Sequence, residues 1–517
     1  MPAPNVTTIT RRPGQRLVPW VRRYPGAVPT MAVLTFGLAL GAATASPSSV
    51  RVAITLSTAL AVVVAVLRSP RQAVIGLLVW LTVLGTLRRI LTGLGSPGDN
   101  DPLLLMAPAV VTVLVIVAAR NGAFRSRTRL TNAVLALSGL LLAGALNPLQ
   151  GGIAVGFAGL LFVLVPALWF WVGRSLLDDR TFARILWLVS VLAPLAALYG
   201  LYQVYRGFPP WDANWIEDRG YAALQVGDAL RQFASFSSAA EYVGFIAIGM
   251  VIWALRLRHR STRAVAIVPL ALISWGLALA SVRGALVVLA VTLGMLFAIA
   301  RGLGLLRTVM VGVGALLLLG FAVSQIDPGQ VGGGQSSTLL SRQVTGLSDP
   351  LDPGNSTLPV HIDALIGGLR EVVVSPLGRG TGSASIAADR FGDASQITDV
   401  DPSNVAVALG LPGLVAYLAI VVLGLRLALR RARSGRDFLG LVALGILLVT
   451  SLQWLTGGNY AIAPLPWLVL GWLDRQSIPG KAALSRGTVP VEQASEAPSV
   501  PLPLPGRTRT AGEREQG

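Results

Sequence analysis

The feature that most limits what this chain can become is a succession of apolar runs, about fourteen in all, each near the length a helix needs to cross roughly 30 Å of bilayer hydrocarbon. They lie at 28–46, 51–67, 72–86, 103–119, 131–146, 153–173, 184–204, 240–255, 264–281, 284–300, 308–325, 402–425, 438–456 and 460–473. In lipid each backbone N–H and C=O must find its partner inside the protein, and runs of this length do so as helices. Composition agrees, with 53% hydrophobic and only 13% charged residues and a mean hydropathy of +0.67. Soluble domains carry about a quarter charged residues. The expected fold class is all-α, a polytopic transmembrane helical bundle of about 12–14 helices with long extracytoplasmic loops.

Lys plus Arg number 42 against 24 Asp plus Glu, a formal charge of +18, and Lys481 is the only lysine. The basic residues are not spread evenly. Arg11, Arg12, Arg16, Arg22 and Arg23 precede the first run, and alternate loops repeat the pattern with Arg68 and Arg71, Arg120 to Arg129, Arg256 to Arg263, and Arg430 to Arg436. Short cytoplasmic loops retain Lys and Arg, so both termini of a multi-pass membrane protein are expected in the cytoplasm. The net charge is then a topology signal, and no nucleic-acid partner is implied. The expected organisation is a basic tail over 1–27, a transmembrane domain over 28–475 with outer loops at about 205–239 and 326–401, and a disordered cytoplasmic tail over 476–517, rich in Pro, Ser, Glu and Arg.

Chemistry is narrowed by what is missing. There is no Cys, and His259 and His361 are the two histidines, so thiol nucleophiles and Cys- or His-rich metal sites lack their ligands. Walker, G-x-S-x-G and H-E-x-x-H motifs are also absent. No cofactor is expected.

Ionisable groups at the outer ends of the runs are the candidates, since a charge at a helix centre costs about 2.5–3.5 kcal/mol and tends to be kept for a partner or a substrate. Arg231 lies in LRQFASFSSAAEYVGF ahead of Glu241. Arg283 lies in the tight turn of LALASVRGALVV. His361, Asp363 and Arg370 lie in HIDALIGGLREVVVSPLGRGTGS, followed by Arg379, and Asp399, Asp401, Ser403 and Asn404 lie in DVDPSNVAVALGLPG. The arginine before F-x-x-F, the Ser-x-Arg-Gly turn, the long outer loop ending in P-L-G-x-G-x-G, and the Asn-containing segment before G-L-x-G resemble, in that order, the O-antigen ligase and O-antigen polymerase superfamily, over about 135–475.

The resemblance implies transfer of a glycan from a polyprenyl-diphosphate carrier to an acceptor hydroxyl on a glycan, lipid or protein at the outer face, with no metal or nucleotide. Independently of it, a diphosphate leaving group gathers negative charge, and guanidinium forks bind phosphate oxygens better than lysine does. Arg231 and Arg283 are the expected diphosphate ligands, with Arg370, Ser403 and Asn404 orienting phosphate or sugar. The family often supplies its base from a His-Asn pair, where this chain has Ser403-Asn404. The expected base is therefore His361, Asp399 or Asp401.

Each feature also has a plain structural reading. Arg231 pairs with Glu241 or reaches headgroups; Arg283 is a turn residue; Asp401-Pro402-Ser403-Asn404 is a helix start. Gly378 to Ser383 is an anion-binding nest or an ordinary turn. Arg88 and Arg89 bind carrier headgroups or flank a short span. Tyr205, Phe208, Trp211, Trp215 and Tyr221 stack on sugars or anchor the interface. A transporter of lipid-linked or amphipathic substrates and a non-catalytic membrane scaffold are the alternative functions.

Overall fold

The structure, a computed structural model, describes residues 47–92, 101–219, 224–226, 228–326, 334–352, 358–385, 387–388, 400–435, 437–451, 453–455 and 459–478. The basic tail, the 28–46 run, Tyr221, Asp399 and the tail from 479 onward lie outside the described residues. The described residues form an almost entirely α-helical membrane protein. Every apolar run from 51 onward contains a helix: α1 (Pro47–Arg68), α2 (Pro70–Thr92), α3 (Met106–Arg120), α4 (Arg129–Gly144), α5 (Ile153–Leu176), α6 (Asp179–Arg206), α8 (Ala239–Arg256), α9 (Arg263–Leu279), α10 (Arg283–Ala300), α11 (Leu305–Ser324), α14 (Asp401–Gly435), α15 (Phe438–Val449) and α16 (Pro464–Gln476), although the 438–456 run leaves the helix after Val449 and the 460–473 run enters one only at Pro464. Nine helices among the described residues are long and apolar enough to cross a membrane.

The loops at 205–239 and 326–401 have structure of their own. The first holds α7 (Pro210–Arg219) and a small antiparallel hairpin, β1 (Gln225–Val226) and β2 (Ala229–Leu230). The second holds α12 (Gln335–Ser348) and α13 (Leu358–Val374).

Helix starts follow from local sequence. Thr128, Asp178, Ser238 and Asp437 accept a hydrogen bond from the amide three residues on, opening α4, α6, α8 and α15. At α8 the Glu241 carboxylate reaches back to the Ser237 amide at 3.0 Å, close to a capping box. Its other oxygen accepts from the Ala461 amide at 2.7 Å, which ties α8 to the turn before α16. Glu241 is thus used by backbone amides, not by Arg231.

Glycines set the closest crossing. A methyl on Gly173 of α5 would strike the Leu468 carbonyl of α16, and one on Gly471 of α16 would strike the Phe170 carbonyl of α5. The two backbones notch into each other, as small residues permit in lipid. Nearby, buried Arg174 of α5 donates to Asp474 of α16 at 2.6 Å, and Asp474 also accepts from Thr128 and Thr131 at the start of α4. Outward, Leu306, Met310, Leu317, Leu318 and Phe321 of α11 are left exposed, an apolar face suited to lipid.

The 402–425 run is not one uninterrupted helix. α14 extends to Gly435, and within it Gly410 breaks the helix at φ 61°. In an unbroken helix the carbonyls of Val407 and Ala408 would accept from residues 411 and 412. Pro412 has no N–H, and the Leu411 amide turns to the Pro376 carbonyl at 2.9 Å. The two released carbonyls accept from the Arg379 and Gly380 amides, both at 2.9 Å. Segment 376–380 therefore repairs the break, pairing the two carbonyls and the amide that it frees.

Candidate functional site

That repair disposes of the anion nest. The Thr381 amide donates to the Gly144 carbonyl and the Gly382 amide to Gln150 Oε1, so the amides from 379 to 382 all serve protein acceptors. Gly378 to Ser383 is a packing loop, clamped between the ends of α4 and α5 and the broken helix.

Arg231 and Arg283, expected as diphosphate ligands, come together, and a third arginine joins them. α12 packs against α6, α9, α10, α11 and β2, which brings Arg342 to the end of the bundle where α9 gives way to α10. Arg231 is half-buried, Arg283 half-buried, and Arg342 exposed. Burial pushes the Arg231 guanidinium below the usual arginine range, and the positive charges of Arg283 and Arg342 push it further the same way. Its Nε is buried without a hydrogen-bond partner. Unsatisfied polar atoms recur in the segments that carry the three arginines: Gln232 Oε1 beside Arg231, Ser281 Oγ two residues before Arg283, and both side-chain atoms of Gln343 beside Arg342 are buried and unpartnered. Buried polar atoms in native proteins are nearly always satisfied, so exceptions need a reason.

Gly346 of α12 makes room for Arg283, since a methyl there would collide with its guanidinium. Ala234 and Ser281 are the two non-glycine residues with positive φ among the described residues, at 49° and 53°. They stand in the two motifs that supply Arg231 and Arg283. Such a conformation costs on the order of 1–3 kcal/mol and persists where surrounding structure enforces it.

For Ala234 the enforcing structure is plain. Its amide donates to Gln203 Oε1 at 2.8 Å and its carbonyl accepts from Arg89 Nη2 at 2.6 Å. Arg89 also donates to the Phe236 carbonyl and, at 2.5 Å, to Asp212, which accepts from Tyr199 and Gln203 as well. Arg89 is thus an internal strut, not a headgroup ligand at a span's edge, and Arg88 pairs with Asp101 at 2.7 Å. The loop aromatics join the packing: Phe208 and Trp215 lie 5.5 and 5.6 Å from Phe233, whose face carries the Arg89 guanidinium at 4.7 Å. Trp211 donates to Tyr199, and Tyr205 accepts from Trp275.

The remaining candidates form a second group where α13 crosses the start of α14. Gly368 sits directly on Ser403, with no room for a methyl between them. His361 lies two turns before Gly368 on nearly the same stripe of α13, and His361, Asp363 and Arg370 are exposed. Asp401 and Ser403 are fully buried. Asp401 Oδ2 accepts from the Tyr417 hydroxyl at 2.7 Å and from the Leu455 amide at 2.8 Å, joining the start of α14 to the turn after α15. Ser403 donates to the Val400 carbonyl, and Asn404 begins the second turn. Arg379 pairs with Glu371 at 2.7 Å, which holds the Glu371 carboxyl below its ordinary range.

Arg342 and Gln343 are the residues that sequence reasoning passes over. Both sit in a polar stretch flanked by Gly and Ser, with nothing local to single them out. No family model matches the chain, and no curated protein matches its sequence.

Proposed function

We propose that this protein transfers a glycan from a polyprenyl-diphosphate carrier to an acceptor hydroxyl at the outer face of a bacterial plasma membrane, in the manner of the O-antigen ligases and polymerases it resembles. The observation that carries this reading is the convergence of Arg231, Arg283 and Arg342, with the Arg231 Nε buried and unpartnered. Guanidinium groups that repel one another are stabilised by a polyanion, and a diphosphate matches them in charge and in its paired oxygens.

In this reading the acceptor oxygen attacks the anomeric carbon while the bond from that carbon to the diphosphate breaks. The three arginines take up the charge that collects on the departing diphosphate. Of the bases considered, His361 has an exposed side chain and accepts the acceptor's proton. Asp401, buried and holding Tyr417 and Leu455 on one oxygen, anchors α14 instead. Asn404 and Arg370 orient the sugars.

The test is glycan transfer by the full-length protein in lipid, offered a polyprenyl-diphosphate oligosaccharide and cell-envelope acceptors. Arg231→Ala is expected to lower the rate about 10²- to 10³-fold, as removal of one preorganised donor does. Arg231→Lys recovers little, because an ammonium lacks the planar fork. Full transfer by a folded Arg231→Ala variant would remove the diphosphate role, and carrier binding without transfer by the wild type would move the reading to a transporter.

A further inference from the structure

A second basic site lies at the other end of the bundle. α6 runs about 42 Å at 1.5 Å per residue, from Asp179, beside Trp472 and Arg431, to Arg206, on the side of the arginine triad. At the Asp179 end a cleft of about 190 Å³ opens between the start of α4 and the last turns of α14. Arg129, Arg426 and Arg430 line it together with Leu130, Leu423 and Leu427.

The carboxylate on its wall, Asp474, is already engaged by Arg174, Thr128 and Thr131. The three lining arginines are exposed, and none of them forms an ion pair among the described residues. Residues 423, 426, 427 and 430 follow the i, i+3, i+4, i+7 spacing of one helix stripe. Along that stripe Arg430 lies nearest the helix end, in the last turns before Gly435, and Leu423 about 10 Å deeper into the bundle. The wall therefore grades from guanidinium to leucine over the depth at which a phospholipid passes from phosphate to acyl chain.

The structure assigns this cleft as a binding site for the phosphate of an anionic phospholipid, held by Arg129, Arg426 and Arg430 with an acyl chain along Leu423 and Leu427. A free phosphate shares the guanidinium chemistry but has no use for the leucines. Basic pockets between transmembrane helices on the cytoplasmic side suit such headgroups, and the arginine-rich loops place this end in the cytoplasm under the positive-inside rule. The assignment stands apart from the glycan-transfer reading, whose residues lie at the opposite end.

The test is retention of phosphatidylglycerol against phosphatidylcholine by the purified full chain in detergent, read by native mass spectrometry, with inorganic phosphate as competitor. Wild type is expected to keep phosphatidylglycerol about tenfold better. Arg426→Gln with Arg430→Gln should bring it down to the phosphatidylcholine level with an unchanged melting temperature, and Arg129→Gln should fall between. Arg258→Gln with Arg260→Gln, on another basic loop, should leave the preference intact. Equal retention of the two lipids by wild type overturns the assignment, as does an undiminished preference in the Arg426/Arg430 variant. An equal loss in the Arg258/Arg260 variant would reveal diffuse charge in place of a site. Displacement of the lipid by inorganic phosphate at matched concentration would make it a free-phosphate site and end the lipid assignment.

Discussion

The guanidinium of Arg89 and the carboxylate of Asp212, both buried, meet at 2.5 Å between α2 and α7, and through them the α2 helix grips the loop that carries Arg231. Asp212 collects Arg89, Tyr199 and Gln203; Arg89 and Gln203 in turn hold the left-handed Ala234, three residues beyond Arg231. The strut and the arginine triad are linked through that loop.

Removing one partner of a buried pair leaves an uncompensated charge, so Asp212→Ala should cost about 3–5 kcal/mol. A hydrophobic double replacement at Arg89 and Asp212 is often tolerated in other proteins. Here it should remain destabilising, because the carbonyls of Ala234 and Phe236 lose their donor. Thermal melting of the single and double variants in detergent decides this; a double variant as stable as wild type would show that those carbonyls find other donors.

Gly346→Ala separates function from stability. The added methyl meets the tip of Arg283, a flexible side chain that can swing aside, and alanine favours the helix by up to about 1 kcal/mol. The melting temperature should hold or rise while the proposed glycan transfer falls about tenfold through a displaced guanidinium. Unimpaired transfer would mean that the present position of Arg283 is not the working one.

At the α5–α16 crossing the obstacle is backbone. Gly173→Ala and Gly471→Ala each press a methyl onto a facing carbonyl, and overpacking of this kind costs about 1–3 kcal/mol. Gly314→Ala, which meets nothing within 4 Å, is the matched control. Melting curves for the three variants should place the control near wild type and the other two well below it.

Acid should loosen the loop that repairs α14. The hydrogen bond from Arg379 lowers the Glu371 carboxyl in the folded protein, so the stabilisation is complete above the ordinary glutamate range and is lost as pH falls through the lowered value. With the side chains 17% and 35% exposed, the pair is worth no more than about 1 kcal/mol. Glu371→Gln should melt slightly below wild type at neutral pH, and the gap should close on acidification. A gap that widens in acid would reverse the sign of the argument.

What the sequence by itself determined is local. Each apolar run from 51 onward carries a helix because hydrophobicity over about 20 residues is a short-range property, and the starts at Thr128, Asp178, Ser238 and Asp437 need a side chain only three positions from its amide. The proximity of Arg231 and Arg283 was legible from their two motifs, while Arg342 was not, since α12 carries no mark of its own before it packs against the end of α9. Tertiary structure alone decided the partners. It turned Arg89 inward to Asp212, gave Glu241 to the Ala461 amide in place of Arg231, and engaged Asp401 with Tyr417 and Leu455. It also drew the glycine-rich stretch onto carbonyls freed by Gly410 and Pro412. A buried polar atom bonds to whatever the fold brings within about 3 Å, and that neighbour is set by the packing of helices distant in sequence.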